Sequence, residues 1–429
     1  MSQSAVIDIQ DKPSTGKMIT LSLQHMFAMF GATILVPQLV GLSPAIALLT
    51  SGIATIIFLF VTKFQVPAYL GSSFAFIAPI TYATAEAGLG GAMIGSLFVA
   101  LIYFVVALVI RLTGYQWIMR LLPPIVVAPI IIVIGLALSP VAIDMAMNIQ
   151  VDNQSVYSMK HFSAALVTLA AAVITMMFVR GTISLMPVLV GIIIGYVYSL
   201  LIGIVDFTTV KEASFFAIPD FYLPILDYDV VVTANLLLIM MPIAIVTISE
   251  HIGHQLVLGK VVDRDFIKEP GLHRSLLGDG LGTFVSGLLG GPPKTTYGEN
   301  IGVLAVTRVY SIYVIFGAAI AAIGTSFLGK LMALIATIPA NVLGGISILL
   351  FGIIASSGLR MLVDGNIDFG DKRNLVISSI ILVIGIGGAK IHFTDYFELS
   401  GMALAAIIGV LLNAVLPYEK KNTSSEHSV

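Results

Sequence analysis

Residues 18–62 read MITLSLQHMFAMFGATILVPQLVGLSPAIALLTSGIATIIFLFVT, with no Asp, Glu, Lys or Arg among them. A helix needs about 20 consecutive apolar residues to cross the hydrocarbon of a bilayer. This run therefore holds two spans, turned near Pro37 to Pro44. Further charge-free intervals cover 64–85, 87–110, 121–143, 161–179, 181–205, 230–249, 280–293, 300–307, 309–329, 331–359, 374–389 and 399–418. Together they predict an all-α polytopic membrane protein of fourteen spans. Charged residues make up 10% of the 429 and hydrophobic residues 58%, whereas an ordinary soluble domain is about 25% charged. Mean hydropathy is +1.04. No ordinary water-facing surface fits these proportions, and a net charge of −2 gives no field that attracts nucleic acid. Without cysteine there is no disulfide framework, thiolate metal site, iron–sulfur cluster or cysteine nucleophile. The first 17 residues are polar and lack a short apolar core before a cleavage site, so no cleaved signal peptide is expected.

Alternating the spans from a cytoplasmic amino terminus leaves only Lys160, Lys211, Lys294, Lys330 and Lys390 outside. The other basic residues, among them Lys63, Arg264, Arg308, Lys420 and Lys421, fall inside. That asymmetry is the one expected of cytoplasmic loops, and it predicts that both termini are cytoplasmic. The segments at 66–82 and 292–307 are interrupted by Gly, Ser, Thr and Pro, and the second also holds Glu299. They read as broken helices in spans three and ten. Three short patterns recur in order: Gln24-His25 with Glu250-His251, Ser72-Ser73-Phe74-Ala75-Phe76 with Thr295-Thr296-Tyr297-Gly298-Glu299, and the Pro123 region with the Pro339 region. Their offsets are 226, 223 and 216. Two halves of seven spans each follow, and because seven is odd the second half enters the membrane inverted. Inverted repeats with interrupted helices in matching places point to a secondary transporter with its site near the midplane. Each half-helix would present free N–H groups and its positive dipole end to that point.

An ionisable group inside a span costs about 2.5–3.5 kcal/mol on insertion scales and is a functional candidate by default. Glu250 follows twenty uncharged residues, His254 lies one turn later, Glu299 sits in the broken tenth span and His25 in the first. Glu250 and His254 share a helix face at i, i+4, while His251 points about 100° away. Glu250 and His254 are therefore placed in the site and His251 outside it. The competing readings are a membrane-surface carboxylate for Glu250 and Glu299 and hydrogen-bonded packing for His254 and His25. The order Glu250-His251-x-x-His254 is not that of a metalloprotease, and no third ligand is evident, so no metal is expected. Gly344-Gly345 and Gly385-Ile386-Gly387-Gly388 lack a following Lys-Ser/Thr and fit close helix packing better than a phosphate loop.

The string Glu299-Asn300-Ile301-Gly302-Val303-Leu304-Ala305-Val306-Thr307-Arg308 resembles the signature of the nucleobase–ascorbate transporters, a nucleobase:cation symporter family. Residues 22–32, 67–76, 249–254 and 295–299 are similar to its bacterial uracil-carrying branch, so the likeness runs over about residues 18–418. It departs at Pro292-Pro293-Lys294, where a cation stands just upstream of the matched residues, at the expected outer mouth.

The resemblance implies a core domain of spans one to four and eight to eleven and a gate domain of spans five to seven and twelve to fourteen. The corresponding boundaries are a cytoplasmic tail 1–17, core 18–118, gate 119–228, core 229–331, gate 332–418 and a cytoplasmic tail 419–429. It also implies proton-coupled uptake of uracil through the plasma (inner) membrane, with protons as the coupling ion and no cofactor, and a homodimer through the gate domain. By position, Glu250 and Glu299 hold the base, the backbone at Phe74 and Gly298 contacts it beside Tyr297, and His254 joins Glu250 in proton coupling. His25, Ser73 and Asn300 support the site. The chemistry is compatible: uracil offers two ring N–H donors and two carbonyl acceptors, and desolvation favours the protonated form of an unpaired carboxylate. The alternatives are a xanthine or purine symporter, where Gln more often stands in place of Glu299, and an inorganic anion transporter, which two site carboxylates would repel. No nucleophile set suggests an enzyme.

Overall fold

The computed structural model describes residues 6–152, 154–394 and 397–417. The expected tail 419–429, with Lys420 and Lys421, lies outside them. The described chain is mostly helical, and seven of its helices are long and apolar enough to cross a membrane. A further pair, Ile312–Ser326 and Gly329–Ala336, is long and apolar enough only when taken together and is bent by 83°. Length alone finds fewer spans than charge-free intervals do because several of those intervals hold shorter helices: Pro187–Leu201, Gly298–Thr307, Lys372–Gly387 and Gly401–Val415. Conversely, Ile77–Thr113 joins two expected spans and breaks at Ala87 and Gly88. Gly88 takes a φ of +69°, which costs a glycine nothing and a β-carbon considerably more.

The helices pack in two sets. Thr15–Leu39, Pro44–Val61, Ile77–Thr113, Leu272–Leu288 and Ile312–Ser326 lie against one another. Pro124–Ala137, Met159–Phe178, Pro187–Leu201, Ala340–Asp364, Lys372–Gly387 and Gly401–Val415 form the second set. Glycines allow the close approaches: a β-carbon on Gly135 would lie 2.3 Å from the Phe351 carbonyl, and one on Gly358 would lie 2.6 Å from that of Ala128. The helix Ile243–Val262 lies at the seam, touching Ile77–Thr113 on one side and Pro124–Ala137 and Gly401–Val415 on the other.

Inside the first set the two interrupted segments meet. Strand Leu70–Ser72 pairs antiparallel with Lys294–Thr296, matching Leu70 with Thr296, Gly71 with Thr295 and Ser72 with Lys294. The Ser73 N–H donates to the Pro293 carbonyl at 3.0 Å, and the Tyr297 N–H to the Tyr69 carbonyl at 2.9 Å, extending the ladder at both ends. Backbone groups at membrane depth need such partners. Two threonines complete the pairing. Thr55 from Pro44–Val61 accepts from the Leu70 N–H at 2.9 Å and donates to its carbonyl at 3.4 Å. Thr283 from Leu272–Leu288 serves the Lys294 N–H and carbonyl in the same way, both at 3.1 Å.

The amino-terminal segment is stitched to the far part of the chain. Ile7 bridges Val309 in parallel, the Tyr310 and Ile312 N–H groups donate to the Ile7 and Ile9 carbonyls, and Ser311 donates to the Asp11 carbonyl. Arg264 pairs with Asp8 at 3.2 Å, and the Gln10 amide donates to the Phe64 carbonyl at 2.6 Å. On the expected outer side, Asn148–Val151 and Gln154–Tyr157 form an antiparallel hairpin.

Candidate functional site

After each strand the chain turns into a half-helix. Phe74–Phe76 leads into Ile77–Thr113, and Gly298–Thr307 follows Lys294–Thr296. Because the strands are antiparallel, the two helix starts approach from opposite directions, each offering the unpaired N–H groups of a first turn. Phe74 is buried and meets Phe351 edge-on at 5.6 Å, so the first start touches the second helical set.

Glu250 and His254 come from Ile243–Val262, whose run of Ile, Val, Thr and Ser buries most of its length. Glu250 lies inside the helix and is buried, 7% exposed. Its Oε2 has no hydrogen-bond partner among the described residues. His254 lies one turn on, with Nδ1 3.2 Å from the Thr296 hydroxyl. Its Nε2 faces Gly298, where an added β-carbon would sit 3.3 Å away. Glu299 occupies the first turn of the half-helix that Gly298 begins, where a carboxylate complements the helix dipole. The structure thus joins Glu250, His254, Gly298 and Glu299 across two elements.

The supporting residues divide. The Asn300 amide donates to the His25 carbonyl at 3.2 Å and lies 3.3 Å from His25 Nδ1, which ties the second half-helix to Thr15–Leu39. The Asn300 Oδ1 and the Ser73 hydroxyl are buried without partners among the described residues. Tyr297 faces the strands: its hydroxyl donates to the Ser72 carbonyl at 2.9 Å, and its ring lies where a β-carbon on Gly71 would be. His251 turns away from Glu250, with Nδ1 2.8 Å from Asp279 Oδ2 and Nε2 2.9 Å from the Ser275 hydroxyl. No group of three or more metal-ligating side chains occurs among the described residues.

Three residues have surroundings that the sequence reading did not assign them. Asp279 is a fully buried carboxylate, and in the sequence it appeared only as the edge of the interval 280–293. Its signal was the flanking pair Gly278 and Gly280, small residues on a packed helix. Thr296 orients His254, but one hydroxyl among many carries no distinguishing pattern. Lys294 was expected at the outer mouth and instead is 0% exposed, with its ammonium among oxygens of Pro44–Val61. The short strand carries it inward rather than to water.

Comparison with known proteins agrees with this architecture. Residues 16–393 match the model of the Permease family. The uracil permease of Bacillus caldolyticus is 63% identical over 96% of this chain and 95% of its own. That of Bacillus subtilis (strain 168) is 55% identical over 99% and 98%, and that of Escherichia coli (strain K12) 43% over 95% and 93%. Among solved structures, the transmembrane domain of the cyanobacterial bicarbonate transporter BicA aligns with a TM-score of 0.59 at 17% identity, covering 92% of this chain and 97% of that one. The murine anion transporter Slc26a9, in its inward-facing state, aligns with a TM-score of 0.69 at 11% identity, covering 94% and 68%. At those identities the likeness is one of fold.

Proposed function

This chain belongs to the Permease family, a family of transporters rather than enzymes, and on that premise we propose that it carries uracil into the cytoplasm in symport with protons. The observation that carries this reading is the meeting of Glu250, with one unpartnered carboxylate oxygen, and the half-helix that begins at Gly298 beside His254. The carboxylates accept from the ring N–H groups of the base, and the N–H groups at Phe74 and Gly298 donate to its carbonyls. Relatives named uracil permeases at 43–63% identity support the same substrate.

In this reading fourteen spans form two inverted repeats. The matching roles of Thr55 at Leu70 and Thr283 at Lys294 support the repeat, with the threonines 228 and the strand residues 224 positions apart. The first helical set is the core, residues 18–118 and 229–331, and the second is the gate, 119–228 and 332–418. Glu250, together with His254, takes a proton from outside, and uracil binds. The core then rocks against the gate along the seam at Phe74 and Phe351, and the proton leaves inside. Which of the two groups holds it is a property of the coupled pair. Both termini face the cytoplasm of a plasma (inner) membrane protein, which pairs through the gate. The docking of Ile7 to Asp11 on loops carrying Arg264 and Arg308 supports that side for the amino terminus.

Uptake of labelled uracil, with unlabelled xanthine, adenine and sulfate as competitors and with or without a protonophore, tests the proposal. The expected result is uptake that the protonophore abolishes and only uracil-like bases inhibit. Block by xanthine would move the substrate to purines, and block by sulfate would favour the anion carriers whose fold this chain shares.

A further inference from the structure

Lys294 presents an ammonium to three oxygens: the Ala47 carbonyl at 3.0 Å, the Ser51 hydroxyl at 3.1 Å and the Ser72 hydroxyl at 3.5 Å. An ammonium has three N–H donors, so this tripod satisfies it completely. Two of the oxygens belong to Pro44–Val61 and one to the opposing strand. A single side chain from the second half of the chain therefore fastens two segments of the first.

The matching position in the other strand sharpens the point. Leu70 is held by Thr55 as Lys294 is held by Thr283, and Leu70 is also fully buried. The same kind of setting thus accepts an apolar side chain. Burying an ammonium is costly even when it is hydrogen-bonded, so an asymmetry of this sort calls for a use beyond packing. Both strands run directly into the site: Ser72 is two residues before Phe74, and Lys294 four before Gly298.

We propose that Lys294 is a positioning residue of the substrate site, bolting the strand crossing to Pro44–Val61 so that the helix starts at Phe74 and Gly298 keep the spacing a bound base requires. The inference rests on the reading of that site as the uracil site. Lys294 does not touch the substrate; it acts through the backbone of both strands. Its loss loosens the two donors relative to the carboxylates of Glu250 and Glu299, which weakens binding more than translocation.

The test compares Lys294→Leu, which installs the residue of the matching position, with Lys294→Arg and Ser51→Ala. KM and Vmax for uracil are measured at equal membrane abundance, melting temperature in detergent, and amide hydrogen exchange over residues 66–76 and 292–299. Lys294→Leu is expected to keep its melting temperature, to raise KM about tenfold with Vmax within about twofold, and to exchange faster at both stretches. Lys294→Arg recovers most of the KM, and Ser51→Ala, which leaves the cation in place, raises KM about threefold. Unchanged KM and exchange in Lys294→Leu and Ser51→Ala overturn the proposal, as does a lowered melting temperature with KM unchanged. Exchange needs no substrate. If the parent protein takes up no uracil, the substrate reading fails, and faster or unchanged exchange still upholds or overturns the bolt.

Discussion

The helix Ile243–Val262 carries two histidines three positions apart whose surroundings differ in kind. His251 has both ring nitrogens engaged, by Asp279 and Ser275, in a pocket with no exposure. His254 shares its face with Glu250, which keeps one oxygen unpartnered, and looks onto the start of the second half-helix. An imidazole with both nitrogens engaged fixes a structure, although Asp279 Oδ1 is itself unpartnered among the described residues, as Glu250 Oε2 is. What sets Glu250 apart is its place beside His254 and the start of a half-helix, where an open carboxylate oxygen retains capacity for a ligand or a proton. One face of the helix is thus built to hold and the other to exchange.

Replacing Glu250 with Gln breaks the exchanging face at its centre. Proton-driven uracil uptake should fall by about 10- to 150-fold, since a hydrogen bond to a charged group is worth about 1.5–3 kcal/mol, while the melting temperature stays near that of the parent. Uptake that still accumulates with a pH gradient would remove Glu250 from proton coupling. Asp279→Ala acts on the holding face. It strips a partner from a buried imidazole at a cost of about 1–3 kcal/mol, so the melting temperature drops, and the surviving protein keeps its KM within about threefold. A selective rise in KM without destabilisation would merge the two faces. Glu299→Gln should raise the uracil KM about tenfold and let xanthine compete, which a competition curve reads directly. The smallest effect is expected from Thr296→Val, which removes the 3.2 Å contact to His254 Nδ1. One neutral hydrogen bond is worth about 1 kcal/mol, so KM should shift by about fivefold or less.

Membrane character was legible from the long apolar runs, and the residues proposed for the site were picked out because a carboxylate or an imidazole stands out in such a run. Glu250, His254 and Glu299 announce themselves against twenty uncharged neighbours or an interrupted span. Asp279 and Lys294 did not, since each borders a charge-free interval and was taken for its boundary. Burial there depends on where the chain goes next: Lys294 enters a strand that crosses the interior, and Asp279 begins no loop at all. Helix lengths were hidden for a related reason. Ile77–Thr113 runs on past Glu86, the charge that separates the two expected spans, and bends only at Ala87 and Gly88, while the bend after Ser326 has no charged residue at it. The helical partners of Tyr297 and Asn300, in Thr15–Leu39, lie more than 260 positions away, beyond any local pattern.

The stitching of Ile7 and Ile9 to Tyr310 and Ile312 sets an order on the making of the molecule. Ile7 and Ile9 leave the ribosome some 300 residues ahead of Tyr310 and Ile312 and must wait without these partners until those residues have been made. At about 5–20 residues per second that interval is on the order of 15–60 s. Closing this strap is therefore a late event of biogenesis, available only to a chain in which residues 309–312 have already been made.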